Sequence, residues 1–234
     1  MQTLHEFMLV TKGQEYLIAI AFLVVFILFW QFLFRGRVVP EVVQAFSLES
    51  IRVPTDVWFH PGHAWMLLQP EGSVRVGIDD FIRRLTGPID DILMPEAGIH
   101  TEQGAPLLRL KIGERELAIP SPLTGQVTSV NAKAKRRIPV TDQGGLEQEW
   151  LLELHPDDPK VNTKGLRVAD RAASWLEGEM KRLREFLSSQ VVRPALAGVT
   201  LADGGEPITG ALALLDHQGW TDFQREFLTP NDNT

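Results

Sequence analysis

Leu107 to Gly125, LLRLKIGERELAIPSPLTG, is the stretch that most restricts what this chain can fold into. Leu108, Leu110 and Ile112 alternate with basic residues, and Leu117 and Ile119 alternate again after a short break. A period of two puts one set of side chains on one face, so both runs predict half-buried strands. Gly113 stands between them, where a tight hairpin needs a residue that tolerates positive φ. Ser121-Pro122-Leu123-Thr124-Gly125 closes the unit, because Pro122 cannot donate to a ladder and Gly125 permits a sharp bend. Such a hairpin on a small β domain offers its tip, Gly113, Glu114 and Arg115, to other proteins.

The N-terminus follows different rules. Tyr16 to Phe34, YLIAIAFLVVFILFWQFLF, carries no charge. At about 1.5 Å per helical residue it extends roughly 28 Å, near the hydrocarbon thickness of a bilayer. Tyr16 and Trp30 lie near its ends, where amphipathic rings favour the interface. Arg35, Gly36 and Arg37 follow the span instead of a small-residue cleavage site, so a retained single transmembrane helix, about 16–34, is expected within residues 1–37. The two arginines lie closer to the span than Lys12, which predicts a single-pass protein with its C-terminal portion in the cytoplasm. A net charge of -7 offers no positive field for phosphates, so no nucleic-acid partner is expected. With no cysteine, this chain supplies no disulfide, thiolate nucleophile or iron–sulfur ligand.

Residues 38–56 read as a connector. Strand material is expected at Ile51-Arg52-Val53-Pro54, at Ala64–Leu68 and at Val74–Ile78, with a loop at His60-Pro61-Gly62-His63. Asp79 predicts the cap of a short helix through Leu85. Leu85-Thr86-Gly87 recurs as Leu123-Thr124-Gly125, each copy a glycine corner before a short strand, which suggests two related halves. Asn131 to Gly145 reads as a polar loop with Lys133, Lys135, Arg136 and Arg137 in solvent, and Trp150–Leu154 as a strand. Val168, Ala172, Trp175, Leu176, Met180, Leu183 and Leu187 form one helical stripe. Residues 188–234 read as an extension. In it Thr221-Asp222-Phe223-Gln224 predicts a capping box opening a short helix through Leu228. Trp220, Phe223 and Phe227 give that helix an apolar face, which either packs on the domain or docks a partner.

Several of these segments, in order, resemble the H protein of the glycine cleavage system, a lipoyl-carrying shuttle. They are His63-Ala64-Trp65, Val76-Gly77-Ile78-Asp79-Asp80-Phe81, Met94-Pro95-Glu96-Ala97-Gly98, Ser121-Pro122-Leu123-Thr124-Gly125, and Trp150-Leu151 with the helix from Val168. The resemblance covers residues 57–187. It implies a barrel-sandwich hybrid, so the expected fold is mainly β with peripheral helices (α+β), a lipoyl-like domain preceded by one transmembrane helix. The family carries lipoate on a lysine at the hairpin tip, eight residues before the proline of the segment matched by Ser121–Gly125. Counting back from Pro122 reaches Glu114, whose carboxylate cannot accept an amide-linked arm; the nearest lysine is Lys111. No cofactor is therefore expected.

Other chemistry is sparse. His60 and His63 flank a Pro-Gly loop with no third ligand at suitable sequence spacing, so no metal site is expected. Asp79-Asp80 and Asp90-Asp91 are explained by capping and turns. No catalytic residue stands out and the chain is not expected to be an enzyme. The expected role is a membrane-anchored, non-catalytic accessory or scaffold subunit among other subunits of a membrane-bound complex, one engaged in redox chemistry being a plausible host. Two alternatives are a tethered carrier modified at Lys111 and a membrane-fusion-type transport adaptor.

Overall fold

In this computed structural model the described residues are 18–27, 29, 45–138, 148–158, 163, 165–190 and 207–229. The chain divides into two units, Met1–Val43 and Gln44–Thr234. In the first, residues 18–27 are helical (α1), as is residue 29. The predicted span 16–34 reaches beyond them on both sides. Among the described residues no helix is long and apolar enough to cross a membrane.

The second unit is built on two antiparallel sheets. The larger joins β11 (Arg167–Val168), β1 (Trp58–Phe59), β2 (Ala64–Leu68), β3 (Val74–Ile78), β10 (Leu152–Pro156), β8 (Gly125–Val130) and β5 (His100–Thr101), in that spatial order. The smaller joins β7 (Arg115–Pro120), β6 (Pro106–Ile112), β4 (Ile89–Leu93) and β9 (Arg136–Ile138). The alternating residues Leu108, Leu110, Leu117 and Ile119 are all buried, as their period-2 spacing requires. They share one core with Val74, Val76, Leu152 and Leu154 of the larger sheet. The two Leu-Thr-Gly corners precede β4 and β8, one in each sheet. Gly87 has φ +68°, whereas at Gly125 a Cβ would fall 2.4 Å from the His155 carbonyl oxygen, so the second glycine serves close backbone approach.

Among the described residues, three α-helices complete the unit. Asp79 caps α2 (Asp80–Thr86), its side chain accepting from the Ile82 N–H. α3 (Ala169–Gln190) buries Ala172, Leu176, Met180, Leu183 and Leu187 of the expected stripe, and with them Phe186 and Glu179, whereas Trp175 is only half-buried and Val168 lies in β11 before the helix. α4 (His217–Phe223) continues as a π-helical turn, Gln224–Leu228.

Four local expectations are corrected. Ile51–Pro54 is not a strand: the Arg52 N–H donates to the Asp80 side chain at 3.0 Å instead of to a ladder. The strand expected at Trp150–Leu154 is β10, which begins at Leu152. The polar loop after Asn131 contains a 3-10 turn, Ala132–Lys135, and then β9, whose backbone pairs with β4 whatever its charges; residues 139–147 lie outside the described residues. The last helix opens at Asp216, whose carboxylate accepts from the Gly219 N–H at 2.9 Å, while Thr221 sits inside the helix and donates to the His217 carbonyl.

The matched Trp65 and Gly77 explain each other. They are directly opposite in the β2–β3 register, and a Cβ on Gly77 would fall 2.4 Å from the indole ring. The indole, fully buried, also donates to the Ile78 carbonyl at 2.9 Å. Gly77→Ala is expected to destabilise the unit by about 1–3 kcal/mol through overpacking, measured as a lowered denaturant midpoint with an unchanged slope.

Candidate functional site: the braced hairpin tip

The β6–β7 register pairs Ile112 with Arg115 and leaves Gly113-Glu114 as a two-residue turn. Gly113 has φ +60°, the conformation its position predicts. Its N–H donates to Asp90 Oδ2 at 2.8 Å, so Asp90 of β4 props the turn from the neighbouring strand, a role its place beside a turn did not reveal. Glu114 is exposed at the turn. Lys111 is also exposed but lies in the strand body, opposite Asp91 on one side and Glu116 on the other.

The tip is not free on all sides. Arg115 donates to the Leu215 carbonyl at 2.6 Å and its guanidinium lies 5.3 Å from the centre of the Trp220 ring. The Trp220 indole N–H donates to the Glu116 carbonyl at 3.2 Å. Trp220, Phe223 and Phe227 are all buried. Phe223 and Phe227 stack at 4.8 Å, and both meet Phe186 of α3 edge-on. Of the two roles open to this aromatic face, the structure gives it packing on the domain. The aromatic spacing marked the face as apolar, and Phe186 on α3 supplied the partner that local sequence could not indicate. Between β7 and the final turn lies a groove of about 290 Å³ lined by Ala118, Pro120 and Leu228 among others.

His60 and His63 are both buried. His63 Nδ1 is 2.7 Å from Asp79 Oδ2, and Glu179 of α3 stands 4.0 Å from Nε2. Acidic groups therefore do approach this loop, from elements too distant in sequence for spacing to reveal. An acid inside the apolar stripe of α3 was the available signal for Glu179. Among the described residues no group of three or more side chains is arranged to hold a metal. His60 Nδ1 accepts the Gly62 N–H at 3.0 Å. Burial first, then the charges of His63 and Arg167, push His60 down to about 4.

The connector is clamped by ion pairs. Arg52 meets Asp80 at 2.7 Å and Glu149 at 2.8 Å, and Arg83 reaches both acids. Burial pulls the Asp80 carboxyl up, but hydrogen bonds and charge from Arg52 outweigh it and leave Asp80 below the usual carboxylate value.

These features sit in a recognisable frame. A glycine cleavage H-protein family model matches residues 57–179, more than half of the chain. The chain belongs to the glycine cleavage H-protein family. It is 30% identical to the glycine cleavage system H protein of Hydrogenovibrio crunogenus over 106 residues, 45% of this chain and 82% of that protein. It is 24% identical to glycine cleavage system H protein 4 of Aquifex aeolicus over 143 residues, 61% of this chain and 82% of that protein. The crystal structure of an H protein from Mycobacterium marinum aligns at 22% identity and a TM-score of 0.46, over 54% of this chain and 99% of that one. A separate model, described only as a protein, matches residues 1–37.

Two predictions follow from the geometry. Trp220→Phe keeps the ring but removes the donor to Glu116, so it is expected to cost about 1 kcal/mol and to speed amide exchange in residues 115–117. For His60 the folded value of about 4 lies below the ordinary 6.5, so between them the unfolded chain binds more protons. Stability should therefore fall as pH drops from 6.5 to about 4, by on the order of 3 kcal/mol. His60→Asn, which keeps an acceptor for Gly62, should flatten that limb in denaturant titrations, leaving the loss from Asp80 below pH 3.8.

Proposed function

We propose that this protein is a membrane-anchored member of the H-protein family that carries no lipoyl group and serves as a non-catalytic accessory subunit of a membrane-bound complex. The observation that carries the reading is the hairpin turn. Its two residues are Gly113 and Glu114, and the family spacing counted back eight residues from Pro122 falls on Glu114, which has no amine to acylate. Lys111 is a poor substitute, since it stands in the body of β6 with its neighbours Asp91 and Glu116 abreast. The brace from Arg115 and Trp220 also favours a fixed tip over one that must reach into a partner's catalytic cleft.

The anchor rests on α1. The apolar side chains Ile18, Ile20, Phe22, Leu23, Val24, Val25, Phe26, Ile27 and Phe29 are 45% to 70% exposed, and their positions run round every face of the helix. A helix apolar all round needs lipid or other helices to cover it. With Arg35 and Arg37 just beyond, the second unit is assigned to the cytoplasmic side. The transport-adaptor reading is disfavoured because a two-residue turn joins β6 to β7, where an adaptor would insert a long coiled coil.

Intact-mass measurement of the full chain from its native membrane is expected to give the unmodified 26.2 kDa polypeptide. Mild detergent should release it as part of a larger assembly. A lipoyl increment that disappears in Lys111→Ala would replace this reading with a tethered carrier, and elution as a lone monomer would sink the subunit role.

A further inference from the structure

The His63 ring is enclosed on every side. Phe81 stacks on it at 4.5 Å with planes 7° apart, and Trp175 lies 5.1 Å away. The charged and titratable groups around it come from four parts of the fold. Asp79 faces Nδ1 from the start of α2, and Glu179 of α3 faces Nε2. His60 shares its turn, and Arg167 of β11 lies over Trp175 at 5.3 Å. Arg182 of α3 holds the other Glu179 oxygen at 2.6 Å.

Hydrogen-bond accounting leaves a conflict at Nε2. Asp79 accepts from the Ile82 N–H with Oδ1 and meets His63 with Oδ2. An N-cap carboxylate is an acceptor, so the proton of the second bond is on Nδ1. In a neutral ring Nε2 would then be a bare lone pair pointing at Glu179 Oε2. Both atoms are buried, and neither has a hydrogen-bond partner among the described residues. Two buried acceptors facing each other are unfavourable for both. A single proton on Nε2 turns the repulsion into an ion pair at 4.0 Å. The proton is placed on nitrogen because Arg182 already donates to the other Glu179 oxygen, Asp79 already accepts from Nδ1, and Phe81 offers the ring a π face.

We propose that His63 is held as an imidazolium between Asp79 and Glu179, and that this buried cation docks α3 and, through Arg182, the final turn of the chain. Arg182 donates to the Glu226 carbonyl at 2.8 Å and lies 4.8 Å from the Phe227 ring centre. Folding takes up one proton from solvent onto Nε2, and no other bond is made or broken. Asp79, His63, Glu179 and Arg182 then sum to zero charge. The final turn packs in turn against β7, so the proton on His63 supports the brace of the hairpin. This holds whether or not the tip carries a group, and so stands apart from the functional reading above.

The test is long-range proton–nitrogen correlation spectroscopy on full-length protein, histidine-labelled with nitrogen-15, in detergent micelles at neutral pH. Both His63 ring nitrogens are expected to resonate as protonated. Glu179→Gln removes the counter-charge and presents an amide donor, so Nε2 should revert to a bare lone pair. Amide exchange in residues 224–228 should rise roughly tenfold as α3 loosens. A bare Nε2 in the unmutated protein overturns the proposal, as does an unchanged ring in Glu179→Gln. A carbon-13 carboxyl signal placing the proton on Glu179 overturns it too. If the glutamine variant does not fold, the ring and carboxyl signals of the unmutated protein decide alone.

Discussion

The carboxylate of Asp79 ties together separate parts of the structure. One oxygen caps α2 through the Ile82 N–H, the other binds His63, and the Asp79 N–H donates to the His63 carbonyl. The strand end, the β1–β2 turn and the helix are thereby fixed to one fully buried point. A buried carboxylate left unpaired would cost several kcal/mol, so these bonds form together or the region does not fold as seen. His63 accepts a φ of +65°, unusual for a residue with a side chain, because the surrounding bonds over-determine its position. From His63 the contacts continue to Glu179, Arg182 and the final turn.

The same logic governs the hairpin. β7 is an edge strand, with a row of backbone groups that would otherwise invite pairing with another chain. The C-terminal segment covers it: the indole of Trp220 takes the Glu116 carbonyl, and the final turn packs alongside. A family domain built around a projecting hairpin thus has that hairpin propped by Asp90 on one strand and tied to the extension on the other. The proposed absence of a lipoyl arm and the bracing of the tip are compatible, since a tip that delivered nothing would have no need to move.

Much of this was legible in the sequence where the governing physics is local. The alternation in β6 and β7, the glycine of the turn, the cap at Asp79 and the stripe of α3 each depend on residues a few positions apart. The readings that failed depended on distant partners. Ile51–Pro54 has strand-like residues, but the Arg52 N–H is taken by an aspartate 28 positions away. The stretch after Asn131 read as a loop, yet its backbone extends the smaller sheet through β9. Thr221 fits a capping box, but Asp216 captures the helix start first.

By itself, the sequence determined the period-2 strands, the turn at Gly113, the apolar segment near the N-terminus and the absence of a lysine at the turn, because each is a property of neighbouring residues. Only the tertiary structure decided that Trp220, Phe223 and Phe227 fold back into the core, and that Glu179 meets His63 across more than a hundred residues. The reason is that a side chain's type sets what it needs buried or paired. Which group satisfies that need is settled by the packing of elements that the chain brings together only on folding.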